Sequence, residues 1–294
     1  MSYQAKILVT GSSGQVGSEL KFIAAHYPDY SFAFKSRAEL DISDEKAVIR
    51  CFETEKPDYC LNCAAYTAVD RAESDEQQAY LINATAVQYL AKSCQKHQTV
   101  LLHLSSDYVY HNRLNRPIRE TDKPAPKSVY ASSKLTGDRL ALAHNQHSII
   151  IRCSWIYSSF GHNFLKTMLR LGKERDKLNI VYDQVGVPAY ARDIARLLLE
   201  MIAVMEKENR KYRGVYHYAP SGVTCWYDYA KTIFELAGIN CEVRPIPTRD
   251  YPTPAARPHY SLLNCEKIVK DFKITIPYWR DSVKACLQLL GEKK

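Results

Sequence analysis

Lys6 to Leu20 reads KILVTGSSGQVGSEL, and this stretch decides the fold. Ile7, Leu8 and Val9 form a short apolar run, as a parallel strand buried on both faces requires. Gly11, Gly14 and Gly17 follow at a spacing of three. An amphipathic segment with Val16, Leu20 and Ile23 on one face comes next. In a strand–turn–helix context the first glycine permits the tight turn and the second lets backbone approach a pyrophosphate. The third lets the helix pack close to the strand. The helix N-terminus then offers free N–H groups to phosphate oxygens. The loop therefore predicts a dinucleotide site formed by Gly11, Ser13, Gly14, Gln15, Val16 and Gly17.

Further along, short apolar runs alternate with helical patterns. Tyr30–Phe34, Tyr59–Cys63, Thr99–Leu104 and Ser148–Arg152 read as strands. Lys46–Phe52 (with Ser43 as N-cap), Ala79–Cys94 and Ser128–Ala143 read as helices. The alternation predicts an α/β fold, a Rossmann-type doubly wound parallel sheet, over residues 1–155. Later segments are expected to return to it. Residues 156–294 read as a smaller C-terminal α/β substrate domain. It has helical patterns at Phe164–Leu171, Ile194–Met205 and Tyr227–Leu236, and strand-like runs at Asn179–Tyr182, Val215–Tyr218 and Glu242–Ile246. The charged stretch Asn112–Lys127, with three prolines, reads as a surface loop.

Bulk properties narrow the function. The 294 residues carry a net charge of +8 with 46% hydrophobic residues, enough for a sizeable core and suited to anionic small molecules. No basic run interleaved with aromatics suggests nucleic acid. No apolar run approaches a membrane span, and no leader pattern opens the chain. Nine scattered cysteines, with only Cys60 and Cys63 at C-x-x-C spacing, read as buried reduced thiols of a cytoplasmic protein rather than a metal site.

Two further patterns carry chemistry. After the second strand, Lys35, Ser36 and Arg37 are basic where NAD-preferring sites place an acid, which favours NADPH and leaves NADH open as a second donor. Tyr130 and Lys134 stand one helical turn apart, so they share a face. A lysine there is expected to lower the tyrosine's pKa, and a tyrosine so tuned can protonate a carbonyl oxygen. Ser106, at the end of the fourth strand, can hydrogen-bond the same oxygen. Small residues Ala64 and Ala65, with Tyr66, leave room for a cofactor at the third strand's exit.

At this point the chain resembles the extended short-chain dehydrogenase/reductases and, within them, the dTDP-4-dehydrorhamnose reductases. The resemblance spans nearly the whole chain. It is carried by TGSSGQVGSEL (Thr10–Leu20), RAELDISD (Arg37–Asp44), NCAAYTAVDRAE (Asn62–Glu73), SSDYVY (Ser105–Tyr110) and YASSKLTGD (Tyr130–Asp138). It continues in IRCSWIY (Ile151–Tyr157), DQVGVPAYARDIA (Asp183–Ala195) and PTPAARPHYSLL (Pro252–Leu263). It implies an NAD(P)H-dependent reduction of a 4-keto nucleotide sugar, with Ser106, Tyr130 and Lys134 catalytic. Arg37, Asp41, Ile42, Ala64, Ala65, Tyr66, Tyr130 and Lys134 join the glycine loop around the cofactor. Tyr66, Asp70, Ser106, Asp107, Tyr108, Tyr130, Trp155 and Arg257 face the sugar nucleotide.

Some members dimerise through glutamate-held magnesium. Glu19 matches one ligand, but no metal set is assigned, and a homodimer is left open. Departures from the pattern are Ser106 for Thr, Ala131 for Gly, His111-Asn112 for an Asp-Gly turn and Ala189 for Thr. Sugar-nucleotide dehydratases carry Asp-Glu after the strand-four hydroxyl, whereas here Asp107 is followed by Tyr108. An epimerase, or a binding subunit like the regulatory subunit of methionine adenosyltransferase, stays as the alternative.

Overall fold

The computed structural model describes residues 4–111 and 114–291, so Asn112 of the expected loop lies outside the described residues. Six parallel strands form the central sheet: β1 (Ala5–Thr10), β2 (Tyr30–Lys35), β3 (Tyr59–Asn62), β4 (Val100–Ser106), β5 (Ser148–Cys153) and β6 (Gly214–Tyr218). Their spatial order is 2-1-3-4-5-6, so the chain changes direction between β1 and β3. Ligands bind outside the carboxyl ends of the strands at such a switch point.

Alternation along each strand sends side chains to opposite faces. Ile7, Val9, Leu61, Leu102 and Ile151 pack beneath α1 (Gln15–Ile23) and a long helix, Ala191–Glu208. Leu8, Cys60, Leu101 and Ile150 pack against Val48 and Phe52 of α2 (Glu45–Glu55) and Leu90 of α3 (Ala86–His97). Each such apolar side chain contributes about 1.5–3 kcal/mol on burial. The α2 N-cap is Asp44, whose carboxylate accepts from the Ala47 N–H at 3.1 Å, and not Ser43. Ser43 instead donates to Asp41, which forms its own turn.

The pattern at Ala79–Cys94 is not one regular helix. Glu76–Tyr80 is α, Leu81–Thr85 is a π turn, and only Ala86–His97 resumes the α-helix. Periodicity does not reveal this, because Ile82, Ala86 and Leu90 stay four apart, as on a regular helix. The π turn presents Asn83 inward. A Cβ on Gly137 of α4 (Val129–His144) would lie 1.9 Å from the Asn83 carbonyl oxygen, so only glycine lets these helices approach.

Val215–Tyr218 belongs to β6 and pairs in parallel with β5. A second apolar cluster gathers the remaining elements: helices Phe164–Glu174, Trp226–Ala237 and Trp279–Leu289 against the strand pair Lys177–Val181 and Glu242–Ile246. Tyr157 and Tyr190 of this cluster lie in a short parallel pair, Ile156–Tyr157 with Ala189–Tyr190, which begins just beyond the end of β5. No described helix is long and apolar enough to cross a membrane. All nine cysteines are unpaired, and burial raises the Cys63 thiol far above its ordinary value.

Candidate active site

The glycine loop leaves β1 at Gly11, which has φ +64° and is packed on the third-strand exit. A Cβ there would lie 2.6 Å from the Ala64 nitrogen. The Gly14 N–H closes the turn on the Gly11 carbonyl at 2.9 Å. Gly14 caps α1 with no side-chain hydrogen bond, so the helix's first N–H groups stay directed at the loop mouth. Ser13 and Gly14 are exposed there, while Val16 and Ile42 are buried core residues. An open, uncapped helix start over a bare backbone turn fits a dinucleotide pyrophosphate.

At the β2 exit, Lys35 is tied to Glu55 at 2.8 Å. Arg37 is largely exposed and pairs loosely with Asp41 at 3.6 Å, leaving its guanidinium available to an anion. The β3 exit is held by Asn83, whose amide bonds both the N–H (2.9 Å) and the carbonyl (3.1 Å) of Tyr66. The Tyr66 hydroxyl donates to Asp75 at 3.0 Å. Ala64 and Ala65 lie partly exposed between Asn62 and that anchor.

Ser106 ends β4, and its hydroxyl accepts the Tyr108 N–H at 3.1 Å and donates to Asp107 at 3.2 Å. Tyr130 opens α4, which Ser128 caps through the Ala131 N–H. Its ring meets that of Tyr108 edge-on at 5.8 Å. Lys134, one turn on, is buried and donates to the Leu104 carbonyl at 2.8 Å. The end of β4 and the first turns of α4 thus bring Ser106, Tyr130 and Lys134 together.

Charge in this cluster differs from the expectation drawn from spacing. Burial pushes the Tyr130 hydroxyl up to about 12, and the Ser106 hydroxyl is what opposes it. Lys134 is itself pushed down to about 8 by burial, with Asp138 and Cys153 pulling the other way. Its amine donates to the Leu104 carbonyl, while burial and the Ser106 hydroxyl set the position of Tyr130. Burial also raises Asp107 to about 7 against the hydroxyls of Ser261 and Ser106.

A cleft of about 840 Å³ opens beside Tyr108 and runs under the second cluster. Phe164 and Trp226 form one wall, and Arg175, Arg244 and Arg257 bring positive charge. Trp155 stacks on Trp226 at 3.7 Å between ring centroids, held with φ +33°, a conformation rare for a bulky residue. Arg257 lines the cleft but spends its guanidinium fork on Asp70 at 2.6 and 2.7 Å. Arg175, Arg244 and Trp226 escaped the sequence reading because they come from separate elements and share no local motif.

Glu19 is fully buried. One carboxylate oxygen accepts from Arg192 at 2.7 Å and the other from Ser158 at 2.6 Å. An arginine partner with serine hydroxyls suits a buried ion pair and does not suit a divalent cation.

A doubly wound sheet with a glycine loop at its switch point, and Ser, Tyr and Lys gathered at the neighbouring strand end, defines a dinucleotide-dependent oxidoreductase of the short-chain dehydrogenase type. The family model described as RmlD substrate binding domain matches residues 5–291. The dTDP-4-dehydrorhamnose reductase of Aggregatibacter actinomycetemcomitans is 39% identical over 287 residues, 95% of this chain and 97% of that protein. A crystal structure of a dTDP-4-dehydrorhamnose reductase from Clostridium acetobutylicum superposes with a TM-score of 0.91 at 36% identity, covering 97% of this chain and 99% of the other. One from Bacillus anthracis, in complex with NADP, gives 0.92 at 30% identity, over 98% and 100%. The chain belongs to the dTDP-4-dehydrorhamnose reductase family.

Proposed function

We propose that this chain reduces the 4-keto group of dTDP-4-dehydro-L-rhamnose to give dTDP-L-rhamnose, with NADPH as donor. The observation that carries the reading is the gathering of Ser106, Tyr130 and Lys134 beside the glycine loop, in a chain of this family. The bound cofactor supplies a hydride. Gly11 to Gly17 and the start of α1 hold its pyrophosphate. Arg37, largely exposed at the β2 exit, would offer its charge to a 2′-phosphate. Ser106 would turn its hydroxyl from Asp107 to the substrate's carbonyl oxygen. Tyr130, kept protonated far above neutral pH by its burial, gives that oxygen its proton as the alkoxide forms.

The cationic cleft suits the rest of the substrate. Arg175 would offer charge to a diphosphate, Arg244 is held by Glu242 at 2.8 and 3.0 Å, and Trp226 and Phe164 offer aromatic surface to a base or sugar ring. Asp70 fixes Arg257 at the rim beside Tyr108. The absence of a glutamate after Asp107 supports hydride transfer without loss of water. Whether two chains pair is read by light scattering.

The test is NADPH oxidation followed by absorbance, with dTDP-4-dehydro-L-rhamnose made in place from dTDP-glucose. Turnover that yields dTDP-rhamnose supports the reading. Tight NADPH binding without oxidation overturns it and moves the assignment to another sugar nucleotide or to a binding role.

A further inference from the structure

Behind Lys134 lies a buried polar chain that the proposed chemistry does not use. Thr10 Oγ1 donates to Asn62 Oδ1 at 2.7 Å, and the Ala64 backbone N–H donates to the same oxygen at 3.2 Å. A backbone N–H can only donate, so the Asn62 amide has one orientation: oxygen toward Ala64, nitrogen toward His103. Asn62 Nδ2 lies 2.9 Å from His103 Nδ1. Nδ1 must therefore accept. Burial and the nearby Lys134 hold His103 well below the usual imidazole range, so the ring is neutral and carries its one proton on Nε2. Nε2 faces Lys134 Nζ at 3.4 Å. Thr10, Asn62 and His103 are all at most 1% exposed, so water does not reset this arrangement.

An N–H aimed at an ammonium is repulsive, whereas an N–H aimed at a neutral amine meets a lone pair. We propose that His103 is a positioning residue for Lys134: Asn62 locks the imidazole with Nε2–H directed at the Lys134 nitrogen, and that contact favours the neutral amine. The other groups facing Lys134 are the Leu104 carbonyl on β4, Asp138 on its own helix and Cys153 on β5. Asp138 is itself bound to Arg152 at 3.0 Å, which blunts its pull on the lysine. Burial pushes Lys134 in the same direction.

The consequence for turnover rests on the reductase reading. Each reduction leaves a phenolate at Tyr130. A Lys134 charge one helical turn away would steady that phenolate, and the His103 contact sets how much of that charge is present. The tautomer itself does not depend on what the chain reduces.

The experiment reads the ring and the lysine directly in the full-length chain. Long-range proton–nitrogen NMR of the histidines, with His103 assigned through His103→Gln, is expected to show the proton on Nε2. Titration of carbon-labelled lysines, with Lys134 assigned through Lys134→Arg, is expected to place its midpoint near 8. In Asn62→Asp the new carboxylate takes Nδ1–H and turns Nε2 into an acceptor. In His103→Gln an amide oxygen can face the ammonium without adding charge. Both are expected to raise the proton affinity of Lys134 about tenfold or more, about 1.4 kcal/mol.

A proton on Nδ1 in the unsubstituted chain overturns the proposal, as does an unmoved Lys134 midpoint in both variants when folded. If neither variant folds, the tautomer of the unsubstituted chain decides alone. Loss of the reductase reading registers separately, as absent NADPH oxidation with these spectra unchanged.

Discussion

Arg257 grips Asp70 with both arms of its guanidinium, at 2.6 and 2.7 Å, joining two positions 187 residues apart. The Asp70 carboxylate also accepts the Ala255 N–H at 3.2 Å, so the Pro-rich segment is pinned to the β3 exit at the mouth of the cleft. Arg257 holds the Asp70 carboxyl below its ordinary range. Asp70→Asn keeps the backbone bond but loses the bidentate pair. Its expected effect is a rise in KM for the sugar nucleotide of about tenfold, with kcat changed less, because charge-assisted hydrogen bonds are worth about 1.5–3 kcal/mol. An unchanged KM in steady-state assays would show that the clasp does not shape the cleft.

Tyr130→Phe keeps the ring against Tyr108 and removes only the hydroxyl. kcat is expected to fall about 10²- to 10⁴-fold, the usual contribution of a positioned proton donor. The affinity for NADPH, read by fluorescence titration, stays within about twofold. A variant that keeps full turnover would assign the proton to another group.

Arg37 is held only by an exposed, loose pair with Asp41, which is worth little. Arg37→Ala is expected to weaken NADPH about tenfold, about 1.4 kcal/mol, and to leave NADH nearly unchanged. Parallel titrations with the two donors give the ratio. Equal losses for both would place the 2′-phosphate elsewhere.

Gly137 and Asn83 give a stability prediction. Gly137→Ala sets a methyl 1.9 Å from the Asn83 oxygen, and this oxygen is backbone in a π turn whose side chain anchors Tyr66. The helix pair must separate, at a cost of about 1–3 kcal/mol or more. Thermal unfolding should move down by several degrees. The same shift of backbone at Tyr66 should also weaken dinucleotide binding.

Much of the sheet is legible because strands buried on both faces are written as apolar runs: Ile7–Val9, Thr99–Leu104 and Ser148–Arg152 need no partner to be seen. Partnership is not written there. Val215–Tyr218 looks like any short strand, and its place beside β5 is set by the helix before it packing back on the sheet. The glycine loop and the Tyr130–Lys134 spacing are local and therefore readable. The polar chain of Asn62 and His103 left a fainter trace: one polar residue at the end of an apolar run, in YCLN, and one inside another, in LLHL. Nothing local says that they meet.

Asp107 is 1% exposed, and among the described residues its Oδ2 lacks a hydrogen bond of ordinary geometry. Burial raises it to about 7, against an ordinary value of 3.8. Between those values the folded chain holds a proton that the unfolded chain has released, so the folded state binds more protons and stability falls as pH rises. Above pH 7 the folded chain carries a buried, half-satisfied carboxylate. Asp107→Asn removes that penalty and retains an acceptor for Ser106. The variant is expected to be more stable than the parent at pH 8, by up to about 4 kcal/mol, with the advantage shrinking steadily toward pH 4. Denaturant unfolding across that range measures it. An advantage that is flat in pH would mean that Asp107 ionises in the folded chain at its ordinary pKa, and that a hydroxyl or water satisfies Oδ2.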